Sequence, residues 1–330
     1  MDSKLRNWYL VIGWLSLTLS AVFAQTYLPK NMKKPSILKP GDTIAVVATA
    51  RKHLQDDFKA TTQLLQQWSL HLKIGSSIGL DNHQLAGTDE ERAQDLQNML
   101  NDDSVKAIWC ARGGYGSVRL LKHLNWEKFE QNPKWLVGFS DVTVLHQKIQ
   151  SLGIQSIHGI MTVNIPRATP EAKETLRKAL FGEVLSYEIP SHPKNKLGKV
   201  QGTLVGGNLS LIYSLAGTPM DLRGDDLILY IEDLDEYLYH VDRMMMQLEY
   251  KGLLKQLKGL VVGSMTKMKD NDIPWGKDAL EIIEDAMKPY AIPVVYDFPA
   301  GHIPDNRALI FGSKVVLEVD KDKAKLVFEQ

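Results

Sequence analysis

The sequence predicts an α/β protein built on a parallel sheet with helices on both faces. Three observations predict it. Short, nearly continuous apolar runs recur at Thr43 to Ala48, Val105 to Ala111 and Trp135 to Val137, as in strands buried on both sides. Segments with apolar residues at helical spacing separate them, and strands alternating with helices favour parallel order. Three glycine-rich joints, at 113–116, 206–207 and Gly301, follow expected strands.

In chain order, Lys4 and Arg6 precede an apolar segment from Trp8 to Phe23, and Val22-Phe23-Ala24 supplies small or short residues before Gln25. This is the layout of a secretory signal over residues 1–24, and it predicts an exported, periplasmic protein with no membrane span after cleavage. A basic, proline-containing leader runs from Gln25 to Pro40. The first domain, residues 36–165, opens with the Thr43 strand. A helix is expected between Leu54 and Leu72 on Phe58, Leu64, Leu65 and Trp68, then a strand within Leu70 to Ile78. Thr88 with Glu91 forms a capping box for a helix carrying Leu96, Met99 and Leu100. The Val105 strand leads into Arg112-Gly113-Gly114-Tyr115-Gly116 and a helix through Val118, Leu121 and Leu124.

Residues 166–200 read as a connecting helix, Pro170 to Leu180, and a linker around Glu188 to Lys196. The second domain, 201–330, begins with Gly202 to Val205, then Gly206-Gly207-Asn208 and a helix through Leu211, Ile212 and Leu215. Leu227 to Ile231 is a strand ending at Glu232. A helix carrying Val241, Met244, Met245 and Leu248 stops at Gly252, and its methionines suit core packing. Leu260 to Met265 is a strand, and Val315 to Val319 with Lys325 to Phe328 alternates like a hairpin.

The chain has 330 residues, 44% hydrophobic and 24% charged, with a formal net charge of zero. That length suits two domains, and the charge balance gives no support to a nucleic-acid partner or an anionic membrane surface. The single cysteine, Cys110, excludes an internal disulfide and a cysteine metal cluster, and its apolar surroundings suit a buried thiol better than a nucleophile. No H-E-x-x-H, no G-x-G-x-x-G and no P-loop is present, so neither a metal nor a cofactor is expected.

Ser140 sits in Trp135 to His146, where a strand ends at Gly138 and a helix begins. A tight turn there would lift its hydroxyl out of the sheet edge beside free helix N–H groups. The same position suits a helix cap. Only half of a G-x-S-x-G elbow is present, because Val142 replaces the second glycine. A serine nucleophile needs a base and an acid that orients it. His302, in Phe298-Pro299-Ala300-Gly301-His302, is the base candidate, with His146, His158 and His240 as competitors. Glu232 is the acid candidate, with Asp233, Asp235 and Glu236 behind it. A glycine loop can bring bare N–H groups toward a ligand and help form an oxyanion hole.

The segments GDTIAVVA (41–48), GTDEERAQDL (87–96), ARGGYGSVRLL (111–121), VGFSDVTVLH (137–146), GTLVGGNLSLI (202–212), LYIEDLDEYLYHVDRMMMQL (229–248) and AGHIPDNRALIFG (300–312) together resemble the muropeptide LD-carboxypeptidases. The resemblance implies a flavodoxin-like N-terminal domain and a smaller β-rich C-terminal domain with the site between them, as a homodimer. It implies a catalytic triad of Ser140, Glu232 and His302, with an oxyanion hole from the amides of Asp141 and the Gly113–Gly114 pair, Gly114 foremost. The implied activity removes terminal D-alanine from murein tetrapeptides without a cofactor. Arg112, Gly113, Gly207 and Asn208 are candidates for holding the substrate, the last two by analogy with anion binding at a helix start. Two features depart from the family pattern: Ala48-Thr49-Ala50-Arg51 after the first strand, and the export signal. The alternatives are the family's self-immunity branch, which cleaves peptidyl-nucleotide antibiotics and for which Trp275 could supply a stacking ring, and a non-catalytic muropeptide-binding protein.

Overall fold

A computed structural model of the chain describes residues 27–54 and 58–329. The expected signal segment lies outside the described residues.

The first sheet has six strands in the order β11-β5-β4-β3-β1-β2: β1 (Thr43–Val47), β2 (His71–Ile74), β3 (Val105–Cys110), β4 (Trp135–Gly138), β5 (Ser156–His158) and β11 (Leu309–Phe311). The first five are parallel in the 2-1-3-4-5 order of flavodoxin-like folds. Their residues alternate between two cores. Ile44 and Val46 face one, with α1 (Lys59–Gln67) and α6 (Pro170–Phe181). Ala45 and Val47 face the other, with α2 (Asp89–Asn101) and α5 (Thr143–Ser151). Burial on both faces is why these strands read as continuous apolar runs. Two shorter helices, α3 (Ser117–Leu120) and α4 (Glu127–Gln131), fill the connections between β3 and β4.

The second sheet has seven strands, β10-β9-β8-β7-β12-β13-β6. Its parallel half is β7 (Gly198–Asn208), β8 (Leu227–Leu234), β9 (Leu257–Thr266) and β10 (Val294–Val295). The antiparallel half is β12 (Lys314–Val319), β13 (Lys323–Phe328) and β6 (Ser186–Pro190). Helices α7 (Leu209–Ser214), α8 (Leu238–Tyr250), α9 (Leu253–Gln256) and α10 (Ala279–Met287) complete this unit, and Met244 and Met245 are core residues. The second unit is therefore more than a β-rich appendage. It carries its own parallel strands and helices.

Several sequence expectations are corrected. The capping box at Thr88 and Glu91 forms, but the helix expected from Leu54 to Leu72 ends at Gln67, and Leu72 lies on β2. The linker expected within 166–200 contains β6, whose residues pair with β13. β6 is an edge strand, where Pro190 is tolerated because the sheet asks no inward N–H of it. The expected helix through Val118 to Leu124 is short, a turn of α-helix followed by a 3-10 turn.

The two units are not separate bodies joined by a tether. β11, from the C-terminal part of the chain, pairs antiparallel with β5 and completes the first sheet. One continuous core holds Val46 and Trp109 of the first sheet together with Leu204, Ile228 and Val261 of the second. The leader is also packed down: Leu28 N donates to Arg223 O at 2.7 Å and Leu38 N to Leu180 O at 2.9 Å.

Candidate active site

Ser140 follows β4 after one extended residue, Phe139, and takes φ 61°. That left-handed conformation costs a residue with a Cβ energy and is kept where the surroundings fix it. The chain then turns at once into a 3-10 turn, Ser140–Val142, and α5. A Cβ on Gly138 would lie 2.9 Å from both Val142 Cγ atoms. Val142 thus packs where a side chain on residue 138 would stand, so the close approach of the turn requires glycine there.

Glu232 lies near the end of β8. The pairing of β8 with β9 shifts register between Ile231 and Asp233, as at a β-bulge. Neighbouring strand residues point to opposite faces, and the two carboxylates diverge accordingly. Glu232 is fully buried, and its Oε2 accepts from His302 Nδ1 at 2.6 Å. Asp233 instead accepts from Asn208 Nδ2, Ser210 N and Leu234 N, each at 2.8 Å. Burial, with the Glu232 charge beside it, pushes the Asp233 carboxyl up to about 7. Asp235 pairs with Lys269 and Glu236 with His240. Among the four acids, geometry places only Glu232 against His302.

His302 stands in the loop between β10 and β11, between the two sheets. Its Nε2 is 3.0 Å from Ser140 Oγ, so with Nδ1–H donated to Glu232 the serine hydroxyl donates to Nε2. Gly301 is required beside it. It has φ 112°, and a Cβ there would come within 2.9 Å of Glu232 Oε2 and 2.4 Å of Ser264 Oγ. Asn306 holds the loop by accepting from Gly301 N at 2.8 Å and from His158 Nε2 at 3.2 Å. Burial pulls the His302 pKa down, but the charge and hydrogen bond of Glu232 outweigh it, and the net shift is upward.

The competing histidines are structural. His146 is buried on α5 between Ser156 Oγ and Gly138 O, and burial brings its pKa down to about 4. His158 is fully buried against Tyr230 and Phe139, and burial holds it well below the usual histidine range. Cys110 is buried, which pushes its thiol up to about 12, far from a thiolate at neutral pH.

The glycine loop meets the serine turn. A Cβ on Gly113 would lie 3.3 Å from Ser140 Cβ and 3.5 Å from Asp141 N. Gly114, with φ 112°, lies beneath the Arg51 side chain, where a Cβ would come within 2.5 Å of Arg51 Cδ. The buried Asp141 side chain accepts from Ser117 N at 2.8 Å and so ties the end of this loop to the residue after Ser140. Arg92, buried on α2, donates to Thr49 O at 2.7 Å and Gly116 O at 3.1 Å, joining the loops after β1 and β3. Sequence reasoning missed the positioning roles of Arg92 and Asn306, because each acts across strand pairings that no local pattern reveals.

Gly207 and Asn208, candidates for holding substrate, are occupied elsewhere. A Cβ on Gly207 would lie 2.6 Å from Thr143 Oγ1, and Asn208 N donates to that oxygen at 3.0 Å. Asn208 Oδ1 caps α7 at Leu211 N, and its amide is bonded to Asp233. These residues join α5 to the second sheet. Arg112 is half-buried and does not line the cavity beside His302. Among the described residues no group of acidic, histidine or cysteine side chains could hold a metal ion.

Comparison with known proteins bears on this arrangement. The family model for the LD-carboxypeptidase N-terminal domain matches residues 44–159, and that for the LD-carboxypeptidase C-terminal domain matches residues 201–317. A probable murein peptide carboxypeptidase of Bacillus subtilis (strain 168) is 31% identical over 316 residues, covering 93% of this chain and 96% of its own. The murein tetrapeptide carboxypeptidase of Pseudomonas aeruginosa is 31% identical over 292 residues, covering 83% of this chain and 92% of its own. The crystal structure of muramoyltetrapeptide carboxypeptidase from Oxalobacter formigenes superposes with a TM-score of 0.80 at 29% identity, over 87% of this chain and 99% of that one. MccF bound to glutamyl sulfamoyl guanosine has the same fold, with a TM-score of 0.80 at 20% identity, over 92% of this chain and 99% of its own.

The raised His302 pKa has a kinetic consequence. The imidazole must be neutral at Nε2 to take the Ser140 proton, so reaction of Ser140 with a fluorophosphonate should rise with pH through a pKa above the ordinary value of 6.5. Glu232→Gln removes the charge that raises it and should move that limb to lower pH. A limb at the same pH in both proteins would show that the Glu232 charge does not govern the reacting base.

Proposed function

The chain belongs to the LD-carboxypeptidase family, and from that premise we propose that it is a serine-type carboxypeptidase releasing the terminal D-alanine of murein tetrapeptides. The observation that carries the proposal is His302 held between Ser140 Oγ at 3.0 Å and Glu232 Oε2 at 2.6 Å. The relatives described as murein peptide and murein tetrapeptide carboxypeptidases support the substrate class.

In this reading, Ser140 Oγ attacks the carbonyl carbon after the L-centre of the diamino acid while His302 Nε2 takes its proton. Glu232 keeps the Nδ1 proton in place and stabilises the imidazolium. The amides of Asp141 and of the Gly113–Gly114 loop receive the developing oxyanion. His302 then passes its proton to the amine of D-alanine, which leaves, and water hydrolyses the tripeptidyl ester by the same route. No cofactor takes part.

The self-immunity alternative asks for an aromatic ring to stack a nucleobase. Trp275, its candidate, does not line the cavity beside His302, so this observation gives that reading no support. The non-catalytic alternative leaves the aligned Ser140, His302 and Glu232 without a purpose.

Ser140→Ala and His302→Ala should each lower kcat for D-alanine release by about 10⁴-fold or more while the fold is retained. Glu232→Gln should cost less than either, because it keeps a hydrogen-bond acceptor and loses only the charge. Residual activity near wild type in Ser140→Ala would reject the nucleophile.

Export is part of the proposal, since residues 1–24 have the composition of a signal. N-terminal sequencing of the protein from a periplasmic fraction should read from near Gln25. A cytosolic protein beginning at Met1 would overturn this part alone. Assembly as a homodimer, which the family resemblance implies, is checked by sedimentation of the mature protein: a monomer at micromolar concentration rejects it.

A further inference from the structure

A carboxypeptidase differs from an endopeptidase in one requirement. The residue it releases carries a free carboxylate, and an enclosed carboxylate needs a cationic partner. The leaving amine must come within reach of His302 Nε2, so the released residue lies on the His302 side of Ser140. A cavity of about 260 Å³ opens on that side, and its lining includes His302, Phe139, Arg167, Leu234, Lys267 and Ile303.

The charge of this cavity is one-sided. Its lining holds two cations, Arg167 and Lys267, and no aspartate or glutamate. The carboxylates nearest in sequence are engaged elsewhere, Asp235 with Lys269 at 3.0 Å and Asp305 with Arg307 at 2.9 Å. Arg167 and Lys267 therefore face the cavity without an ion-pair partner among the described residues.

Both cations are borne on constrained backbone. Arg167 N donates to Asn164 O at 2.9 Å in a turn whose Asn164 side chain in turn accepts from Met161 N at 3.0 Å. Lys267, directly after β9, has φ 53°, a strained conformation for a side-chain-bearing residue, and such strain concentrates at ligand sites. Beside Asn164 and His302, the lining from Phe139, Leu234 and Ile303 gives the cavity an apolar part that suits a small side chain such as a methyl group.

We propose that Arg167 and Lys267 are the anchor for the free C-terminal carboxylate of the leaving residue, and so confine the enzyme to the last peptide bond. The proposal rests on the carboxypeptidase reading and deepens it. It assigns to these two cations the task for which Arg112, Gly207 and Asn208 are the sequence candidates.

The test is binding to the Ser140→Ala protein, measured by calorimetry with a murein tetrapeptide and with the same peptide as its C-terminal carboxamide. The free acid should bind more tightly than the amide. Adding Arg167→Ala or Lys267→Ala should weaken the acid about tenfold, the order expected for one charge-assisted contact, and leave the amide unchanged. Arg167→Lys should restore part of the loss. Equal binding of acid and amide, equal weakening of both by the variants, or no binding of either peptide would overturn the anchor. The measurement needs no turnover, so it is separable from the carboxypeptidase reading. A wild-type protein that releases no D-alanine counts against that reading, whereas loss of the acid-over-amide difference counts against the anchor.

Discussion

The hydrogen bond from Ser140 Oγ to His302 Nε2 joins residues 162 apart in sequence at 3.0 Å, and much of the rest of the structure serves to keep that distance. The Ser140 turn belongs to the first sheet, and Glu232 belongs to the second. A site divided in this way works only if the two sheets cannot slide. The shared core, the pairing of β11 with β5, and the Asn208–Thr143 contact all hold them in register. His302 sits on the segment that crosses from one sheet to the other, between β10 and β11, so the crossing that locks the units also places it beside Ser140.

The site departs from ordinary backbone geometry where its groups are aimed. Ser140 is left-handed, β8 changes register beside Glu232, and Gly301 has φ 112° under the acid. Each would cost stability in isolation, and each is held by dense surroundings: Val142 over Gly138, β9 beside β8, and Asn306 on the Gly301 amide. Arg92 and Asp141 do similar work on the loops facing Ser140, linking their backbones through buried polar side chains. The buried Arg92 charge is tolerable there because it is hydrogen-bonded to Thr49 O and Gly116 O and paired with Asp89. These contacts stiffen the glycine loop that meets the serine turn.

The parallel strands of the first sheet were legible in the sequence because burial on both faces writes them as unbroken apolar runs. The capping box at Thr88 and the strand–helix joint at Ser140 were legible because their determinants lie within a few residues. The chemistry at Glu232 and His302 could be named as candidate acid and base, but nothing local separated Glu232 from Asp233. Their separation follows from strand alternation at a register shift that only pairing with β9 creates. β11 was hidden for a similar reason: three residues in a proline- and glycine-containing segment become a strand only because β5 has an open edge. β6 reads as a linker in the sequence because prolines at an edge strand look like prolines in a loop. Gly207 and Asn208 carry the pattern of an anion site, yet the Asn208 N–H bonds to Thr143 and its side-chain amide to Asp233.

The central claim is that the Ser140 hydroxyl forms a covalent intermediate under the control of a base held on the opposing sheet. Rapid acid quench of the enzyme with murein tetrapeptide, followed by peptide mapping by mass spectrometry, tests this most directly. During the first turnover a tripeptidyl ester should appear and decay on the peptide that contains Ser140, with D-alanine released as the ester forms. Tripeptide and D-alanine appearing together in that turnover with no ester, or an ester on any other residue, would contradict the account.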